Sequence, residues 1–384
     1  MIMAFCELYF ALALTKLERM KNKLPVFFFL MYGMISLAWG QERISGQVRD
    51  KETNEPLPFA SVFIANSIFG AITDNEGKFS IALSAIGQFE LVVSYMGYET
   101  YRIPINLQRN FQLDCDIRMQ PLLLDIQEKV ITGKRDRSWY RNQKIFEEYF
   151  LGKSKNGKKA KILNPEVLII DDHSKKGSLL VSAREPILIE NSNLGYLIHF
   201  VLISNEINLK DKEWVCYGYP FFEELELPAR RMARVEKNRK KAFEGSLTHF
   251  FQSLYNNTLK DTGYEIFLIK EINHLDDSLS GNFFQGVTDG SELLLERDGL
   301  RFLQFNEPLM IHFNQESEET AFHTPLGSNK KMFQTSKLTL RSQVIRINKN
   351  GMHFPVNGVF VEGYMAWERI GDMMPVGYSG DLGN

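Results

Sequence analysis

Between residues 43 and 119 apolar side chains recur at every second position in short runs, and the runs are separated by Gly, Pro, Asn and Asp. Ile44, Gly46 and Val48 alternate with polar neighbours. Val62 and Ile64 do the same, then Phe79, Ile81 and Leu83, then Phe89, Leu91, Val93 and Tyr95. A period of two sends alternate side chains to opposite faces of a strand, so each run has one face to bury. Runs of this length between turn residues predict an all-β sandwich of roughly seven strands. Asp74-Asn75-Glu76-Gly77 reads as a tight turn: Asp74 can bond the following N–H groups, Gly77 suits a positive φ, and Phe79 returns to the core. Pro56 closes a loop ahead of a strand. Gly97-Tyr98 makes a turn whose ring can cover one end of the sandwich.

These residues stand in a characteristic order: Ile44-x-Gly46-x-Val48-x-Asp50, Pro56-Leu57-x-x-Ala60-x-Val62, Gly70-x-x-Thr73-Asp74-x-x-Gly77-x-Phe79 and Ser94-x-x-Gly97-Tyr98. In that order the segment resembles the carboxypeptidase regulatory-like family, a transthyretin-like sandwich. The resemblance implies a structural, non-catalytic module, found at the N-terminus of outer-membrane and periplasmic proteins, TonB-dependent transporters among them. The segment 124–133 resembles the linker that such transporters carry before their plug. The 251 residues beyond it (384 − 133) are too few for a plug and a large barrel.

Ahead of the sandwich, Lys21 and Lys23 precede an apolar stretch at 24–37, and Ala38-Trp39-Gly40 sets small residues at −3 and −1. This order predicts a secretory signal that starts at Met20 and is cleaved between Gly40 and Gln41. The charge-free stretch 24–39 is shorter than the roughly 20 residues of a membrane span. No Cys follows it, so a lipid anchor is not indicated. Export sets the expected location: the periplasm or the outer membrane. Of the three Cys, Cys115 and Cys216 remain in the mature chain; export would allow them to pair, but their spacing shows no disulfide framework and they read rather as unpaired, buried hydrophobes. A net charge of −2 gives no basic field suited to nucleic acid.

After a connector at 121–134, the pattern predicts a helix over 137–150 and strands at 167–170, 179–182, 187–189, 197–203 and 214–219. One long helix is expected over 229–256, with Phe243, Leu247, Phe250, Phe251 and Leu254 as a single apolar stripe and a basic first half from Arg230 to Lys241, Arg239 included. Lys237 and Lys240 belong in solvent, and the stripe belongs against a sheet. Further strands are expected at 266–269, 293–295, 302–305, 309–313, 338–347 and 359–364, the last two flanking an Asn350-Gly351 turn. The fold class is therefore mostly β: a seven-strand sandwich at 41–120 able to fold alone, then a strand-rich α+β domain at 135–384 with one long helix. This second region resembles the C-terminal part of two-domain envelope proteins of the Bacteroidota. The likeness rests on Pro186-Ile187-Leu188-Ile189-Glu190-Asn191, Asn238-Arg239-x-x-Ala242-Phe243-x-Gly245-Ser246-x-x-His249-Phe250 and Trp367-Glu368-Arg369-Ile370-x-Asp372. It implies no particular chemistry.

Few residues stand in a pattern that carries chemistry. None of the seven His begins an H-x-x-E pair, and there is no H-E-x-x-H. His274-Leu275-Asp276-Asp277 is the nearest approach to a zinc site. Gly377-Tyr378-Ser379-Gly380 is not a nucleophile elbow, and no phosphate-cradling Gly-rich loop occurs. His249 lacks a nameable nucleophile and reads as a packing residue satisfied by a backbone carbonyl. Trp214, Tyr217, Tyr219, Phe221 and Phe222, followed by Glu223 and Glu224, would suit a sugar-stacking face. A strand packed on both sides explains them better, with Trp214, Cys216 and Gly218 on one face and Tyr217 and Tyr219 on the other. The basic runs at 129–161 and 230–241 would suit anionic lipid or lipopolysaccharide phosphates, hence a membrane-surface association, although such runs ordinarily form solvated faces. No catalytic, cofactor or metal residue is assigned. The expected role is non-catalytic binding, scaffolding or assembly in the envelope, with a protein, peptide or glycan partner. The alternatives are an accessory of an outer-membrane uptake system, binding carbohydrate or peptide, and a hydrolase with an unfamiliar site in 135–384.

Overall fold

The computed structural model describes residues 42–83, 87–108, 111–122, 135–272, 281–287, 289–322, 332–378 and 380. The expected leader, with Met20 and the Gly40–Gln41 cleavage site, lies outside them. So do most of the expected linker, the 274–277 loop and Ser379.

The alternating runs become seven strands: β1 (Arg43–Asp50), β2 (Ser61–Ile64), β3 (Gly70–Ile72), β4 (Lys78–Ala82), β5 (Gly87–Ser94), β6 (Tyr101–Leu107) and β7 (Gln112–Met119). They form two sheets, β4-β1-β7 and β3-β2-β5-β6. The in-pointing members of each run, Ile44, Val48, Val62, Ile64, Phe79, Ile81, Phe89, Leu91 and Val93, share one buried core. Asp74 accepts the N–H groups of Glu76 and Lys78, each at 2.9 Å. Gly77 sits at φ +71°, where a Cβ would come within 2.5 Å of the Val48 carbonyl oxygen. The Tyr98 hydroxyl closes the sandwich end by donating to Asp50 at 2.6 Å. That bond, with the Thr53 and Glu52 N–H groups, holds the Asp50 carboxyl below its usual range.

The region from residue 135 onward holds two more cores. The first is built on α1 (Arg137–Leu151) and six strands: β8 (Ala160–Ile162), β9 (Leu168–Asp171), β10 (Ser178–Ala183), β11 (Ile187–Asn191), β12 (Tyr196–Asn208) and β13 (Glu213–Glu224). The sheet runs β8-β11-β12-β10-β9, with β13 also on β12. Asp136 caps α1 by accepting the Trp139 N–H at 2.8 Å, and Phe146 and Phe150 stack beneath it at 4.8 Å. Strand β13 is packed on both sides: Trp214 and Cys216 face this core, while Tyr217, Tyr219 and Phe221 face the sandwich. Cys115 and Cys216 are both free and lie against different cores.

The expected long helix is two helices, α2 (Ala229–Phe243) and α3 (Leu247–Tyr255). Glu244 is already extended and Gly245 takes φ +84°. Ser246 then starts α3 by accepting the His249 N–H at 3.2 Å. A Cβ at residue 245 would meet the Gln334 side-chain Oε1 at 2.4 Å and the Phe313 ring at 2.9 Å, so the break also lies against side chains of two neighbouring strands. The apolar stripe is therefore shared: Phe250, Phe251 and Leu254 are fully buried, Phe243 is buried on the other helix, and Leu247 is only half-buried. Lys237 and Lys240 are exposed as expected. Arg239, expected on the basic solvent side, is instead 4% exposed.

The last core packs α3 against two sheets. Their strands are β14 (Tyr264–Ile272), β15 (Gly281–Val287), β16 (Leu294–Arg297), β17 (Leu300–Leu303), β18 (Leu309–Phe313), β19 (Gln334–Leu340), β20 (Ile345–Ile347), β21 (His353–Phe354) and β22 (Val359–Gly363), followed by the short α4 (Tyr364–Trp367). One sheet runs β15-β14-β18-β19-β22 and the other β16-β17-β20-β21. The single strand expected over 338–347 is thus two strands in different sheets. The buried positions change phase between them, from Leu338 to Ile345 and Ile347, which a continuous strand cannot accommodate.

The sandwich is docked on this scaffold. Phe63, Ala65 and Val92, on the face of its second sheet that points away from its own core, are buried against Val201 and Tyr219. The Asn66 N–H donates to the Pro220 carbonyl at 2.8 Å, and the Phe222 N–H to the Ser67 carbonyl at 2.9 Å. Arg102 donates to the hydroxyls of Tyr219 (2.7 Å) and Tyr217 (3.1 Å). The described residues from Arg43 onward form one compact unit.

The divided helix sets an order of stability effects. Phe250→Ala should cost about 3–5 kcal/mol, because it opens a cavity in a closed core. Leu247→Ala should cost about 1–2 kcal/mol, and Lys240→Ala less than about 0.5 kcal/mol. Denaturant midpoints would check this. Equal losses at Leu247 and Phe250 would mean that one continuous stripe is buried after all.

Candidate functional site

Docking two twisted sheets leaves a cleft beside their contact. It has a volume of about 700 Å³ and is lined from the sandwich by Phe59, Tyr95, Met96, Tyr98, Arg102 and Leu122, and from the scaffold by residues 182–186 and 201–203. Four large apolar side chains in it are open to solvent: Phe59 (70%), Met96 (67%), Leu122 (46%) and Ile203 (40%). Phe59 takes φ +64°. Left-handed backbone is costly for a bulky residue, by about 1–3 kcal/mol, and such outliers gather at ligand-contacting positions. Here the strained residue presents its ring to water rather than to a core.

The scaffold side of the cleft is an interrupted sheet edge. Along one edge β12 pairs with β13 from Tyr196 to Asn208. Along the other it pairs with β11 over 196–200 and with β10 over 206–208. Among the described residues, 201–205 have no strand partner on that second edge. The β12–β13 ladder also shifts register between Leu202 and Ser204. Nothing in the sequence announced this gap, because it arises where β10 and β11 diverge from a longer partner.

Among the described residues, those singled out in the sequence for chemistry do not assemble into a reactive set. His249 is half-buried, and its Nδ1 accepts the Gly245 N–H at 3.2 Å and lies 3.1 Å from the Tyr264 hydroxyl. Its partner is therefore a backbone N–H, not the expected carbonyl. Burial holds its pKa down to about 4, so the ring is neutral at physiological pH. Of the aromatic cluster on β13, Tyr219 and Phe222 are almost fully buried, while Trp214, Tyr217 and Phe221 are half-buried. Burial pushes the Cys216 thiol up to about 12.

One acidic group was missed. Glu368, Asp372 and Glu316 lie close to one another and to Glu319. Desolvation first, then Asp372, Glu316 and Glu319, pushes the Glu368 carboxyl well above its usual range. Burial raises Asp372 to about 6, and Glu316 is raised by burial against the opposing charge of Lys241, 3.2 Å away. Asp372 Oδ1 accepts from Asn156 at 3.0 Å, while its Oδ2 has no partner among the described residues. The Trp367-Glu368-Arg369-Ile370-x-Asp372 segment carried the only sequence signal for this group. Among the described residues no three His, Cys, Asp or Glu side chains are placed to hold a metal ion, and no helix is long and apolar enough to cross a membrane.

Comparison with known proteins places the sandwich. Residues 44–131 match the model of the CarboxypepD_reg-like domain. A TonB-dependent receptor of Formosa agariphila is 33% identical over 82 residues, a stretch that is 21% of this chain and 8% of the receptor. Among solved structures, a protein of unknown function from Bacteroides fragilis, described as membrane-associated, aligns over 84% of this chain and 95% of its own at 10% identity and a TM-score of 0.18. A type II cohesin–X-dockerin complex from Acetivibrio cellulolyticus aligns over 20% of this chain and 56% of its own at 20% identity, with a TM-score of 0.18. TM-scores of this size do not establish a shared fold. The sequence match and the seven-strand sandwich agree with each other: the chain carries a carboxypeptidase regulatory-like domain, a non-catalytic module, at residues 44–131.

Proposed function

We propose that this chain is a non-catalytic binding protein of the bacterial cell envelope, and that the cleft between the sandwich and the six-stranded sheet takes an extended, largely apolar peptide segment. The observation that carries the reading is the gathering of Phe59, Met96, Leu122 and Ile203, exposed and apolar, in one cleft. Solvent-exposed apolar groups cost nothing unusual singly, but a contiguous set rimmed by charge suits a partner. Arg184, Glu185 and Glu99 supply that rim. The stretch 201–205 of β12, without a strand partner on one edge among the described residues, offers backbone N–H and C=O groups at the strand spacing that an extended peptide matches. The envelope setting is supported by the signal order at 20–41 and by the receptor that shares the regulatory-like domain.

Phe59→Asn separates binding from folding, because Asn tolerates left-handed backbone better than Phe. The variant should unfold at the same midpoint as the parent or slightly above it. It should bind a fluorescent eight-residue peptide of alternating Val and Thr about tenfold more weakly, the scale expected for a lost aromatic anchor. Equal anisotropy titrations for parent and variant would remove the cleft from the account.

The acidic group favours a second reading, a hydrolase using Glu368 and Asp372. We read it instead as a buried structural cluster, since no cleft described above opens on it. The folded state holds the Asp372 proton up to about pH 6, whereas the unfolded chain releases it near 3.8. Stability from this group is therefore full below pH 3.8 and is lost as pH rises through 6. Asp372→Asn should flatten the fall in unfolding free energy between those limits, by on the order of 1–3 kcal/mol. A variant with unchanged pH dependence of stability would revive a functional role for the group.

A further inference from the structure

We infer that a second site, a small cationic pocket between α2 and the loop that follows α1, binds a phosphate-bearing ligand. The pocket has a volume of about 250 Å³ and is lined by Lys159, Ser192, Asn193, Arg231, Arg234 and Asn238, with Val235 at one wall. No carboxylate lines it. Three segments distant in sequence contribute, so the cations converge by folding rather than by lying in one run. None of Lys159, Arg231 and Arg234 has an ion-pair partner among the described residues. The nearest acid on the same helix, Glu236, is held by Arg239 at 3.0 Å.

Two features make this more than a solvated face. The floor is fixed: Asn238 donates to the Asn193 carbonyl at 3.0 Å, Asn193 to Asn156 Oδ1 at 3.0 Å, and Asn156 to the buried Asp372 at 3.0 Å. A side-chain amide has two N–H donors, so Asn193 and Asn238 each keep one beyond the bond named. The helix is also charged against its own dipole. The first turn of α2 has no acidic residue and no side-chain cap, yet Arg230 and Arg231 stand there. Cations at a helix N-terminus are set against the positive end of its dipole. An anion seated among Arg231, Arg234 and Lys159 removes both the mutual repulsion and the conflict with the dipole, and an arginine fork suits phosphate oxygens. The volume falls below the range usual for drug-sized ligands, which suits a phosphoryl group with little attached.

The chemistry is common to a soluble phosphate monoester and to a lipid headgroup, and two probes distinguish them. Glycerol 1-phosphate, titrated calorimetrically into residues 41–384, reports a soluble ligand. Flotation with phosphatidylcholine vesicles containing lipid A reports a headgroup. The double variant Arg231→Gln/Arg234→Gln should weaken binding to at least one probe by about tenfold or more. A second double variant, Lys155→Gln/Lys176→Gln, removes the same charge outside the pocket and should bind as the parent does. Thermal unfolding of both variants at the parental temperature keeps the comparison one of binding. Binding to the monoester assigns a soluble ligand, and binding to vesicles alone assigns a headgroup. Failure of the parent to bind either probe, or equal losses in the two double variants, would overturn the proposal.

Discussion

The second sheet of the sandwich is apolar on both faces, and this constraint organises the molecule. Val62, Ile64, Leu91 and Val93 fill the sandwich core, while Phe63, Ala65 and Val92 point the other way. Left in water, that outer face would forfeit about 1.5–3 kcal/mol for each large side chain. Val201 and Tyr219 cover it, and Arg102 bridges the rim by donating to both tyrosine hydroxyls. Backbone hydrogen bonds at Asn66, Ser67, Pro220 and Phe222 fix the register of the contact, and the Val376 N–H ties the C-terminal segment to the Asn66 carbonyl at 2.6 Å. Because the two sheets meet over only part of their width, the cleft beside them follows from the docking and needs no separate device.

The sandwich was legible because its signal is local. Alternation, the Asp74-to-Gly77 turn and the Gly97-Tyr98 turn each specify their own neighbourhood. Its outer contact was legible in part. Continuous apolar runs at 62–65 and 91–93 are what a strand buried on both faces requires, but alternation drew attention to only half of each run. The helix break at Gly245-Ser246 was written as a stop followed by an N-cap, and the apolar stripe running across it concealed the signal. Arg239 could not be placed from sequence. Its burial depends on Leu194, Glu224 and Glu236 supplying acceptors and on Tyr196 lying 4.0 Å beneath its guanidinium, three of them far from it along the chain.

Neither the cleft nor the cationic pocket has a contiguous signature. The cleft takes residues from 59–122 and from 182–203, and the pocket takes three separated segments. The basic runs were visible, but only folding selects Lys159, Arg231 and Arg234 from the many cations available. The buried acids behave alike: Glu316 and Glu368 are 52 residues apart (368 − 316) and meet only in the fold. Docked in this way, the regulatory-like domain forms one wall of the cleft.

The dry contact is the claim on which the rest stands, and thiol accessibility tests it directly. In residues 41–384 carrying Val92→Cys, with the parent supplying the background of Cys115 and Cys216, the rate of labelling by a small disulfide reagent reports whether this face is wet. The account predicts labelling of Cys at position 92 no faster than unfolding of the contact, with circular dichroism unchanged. Labelling as fast as a free thiol in the still-folded protein would show that the outer face lies open and that the sandwich is not docked through it.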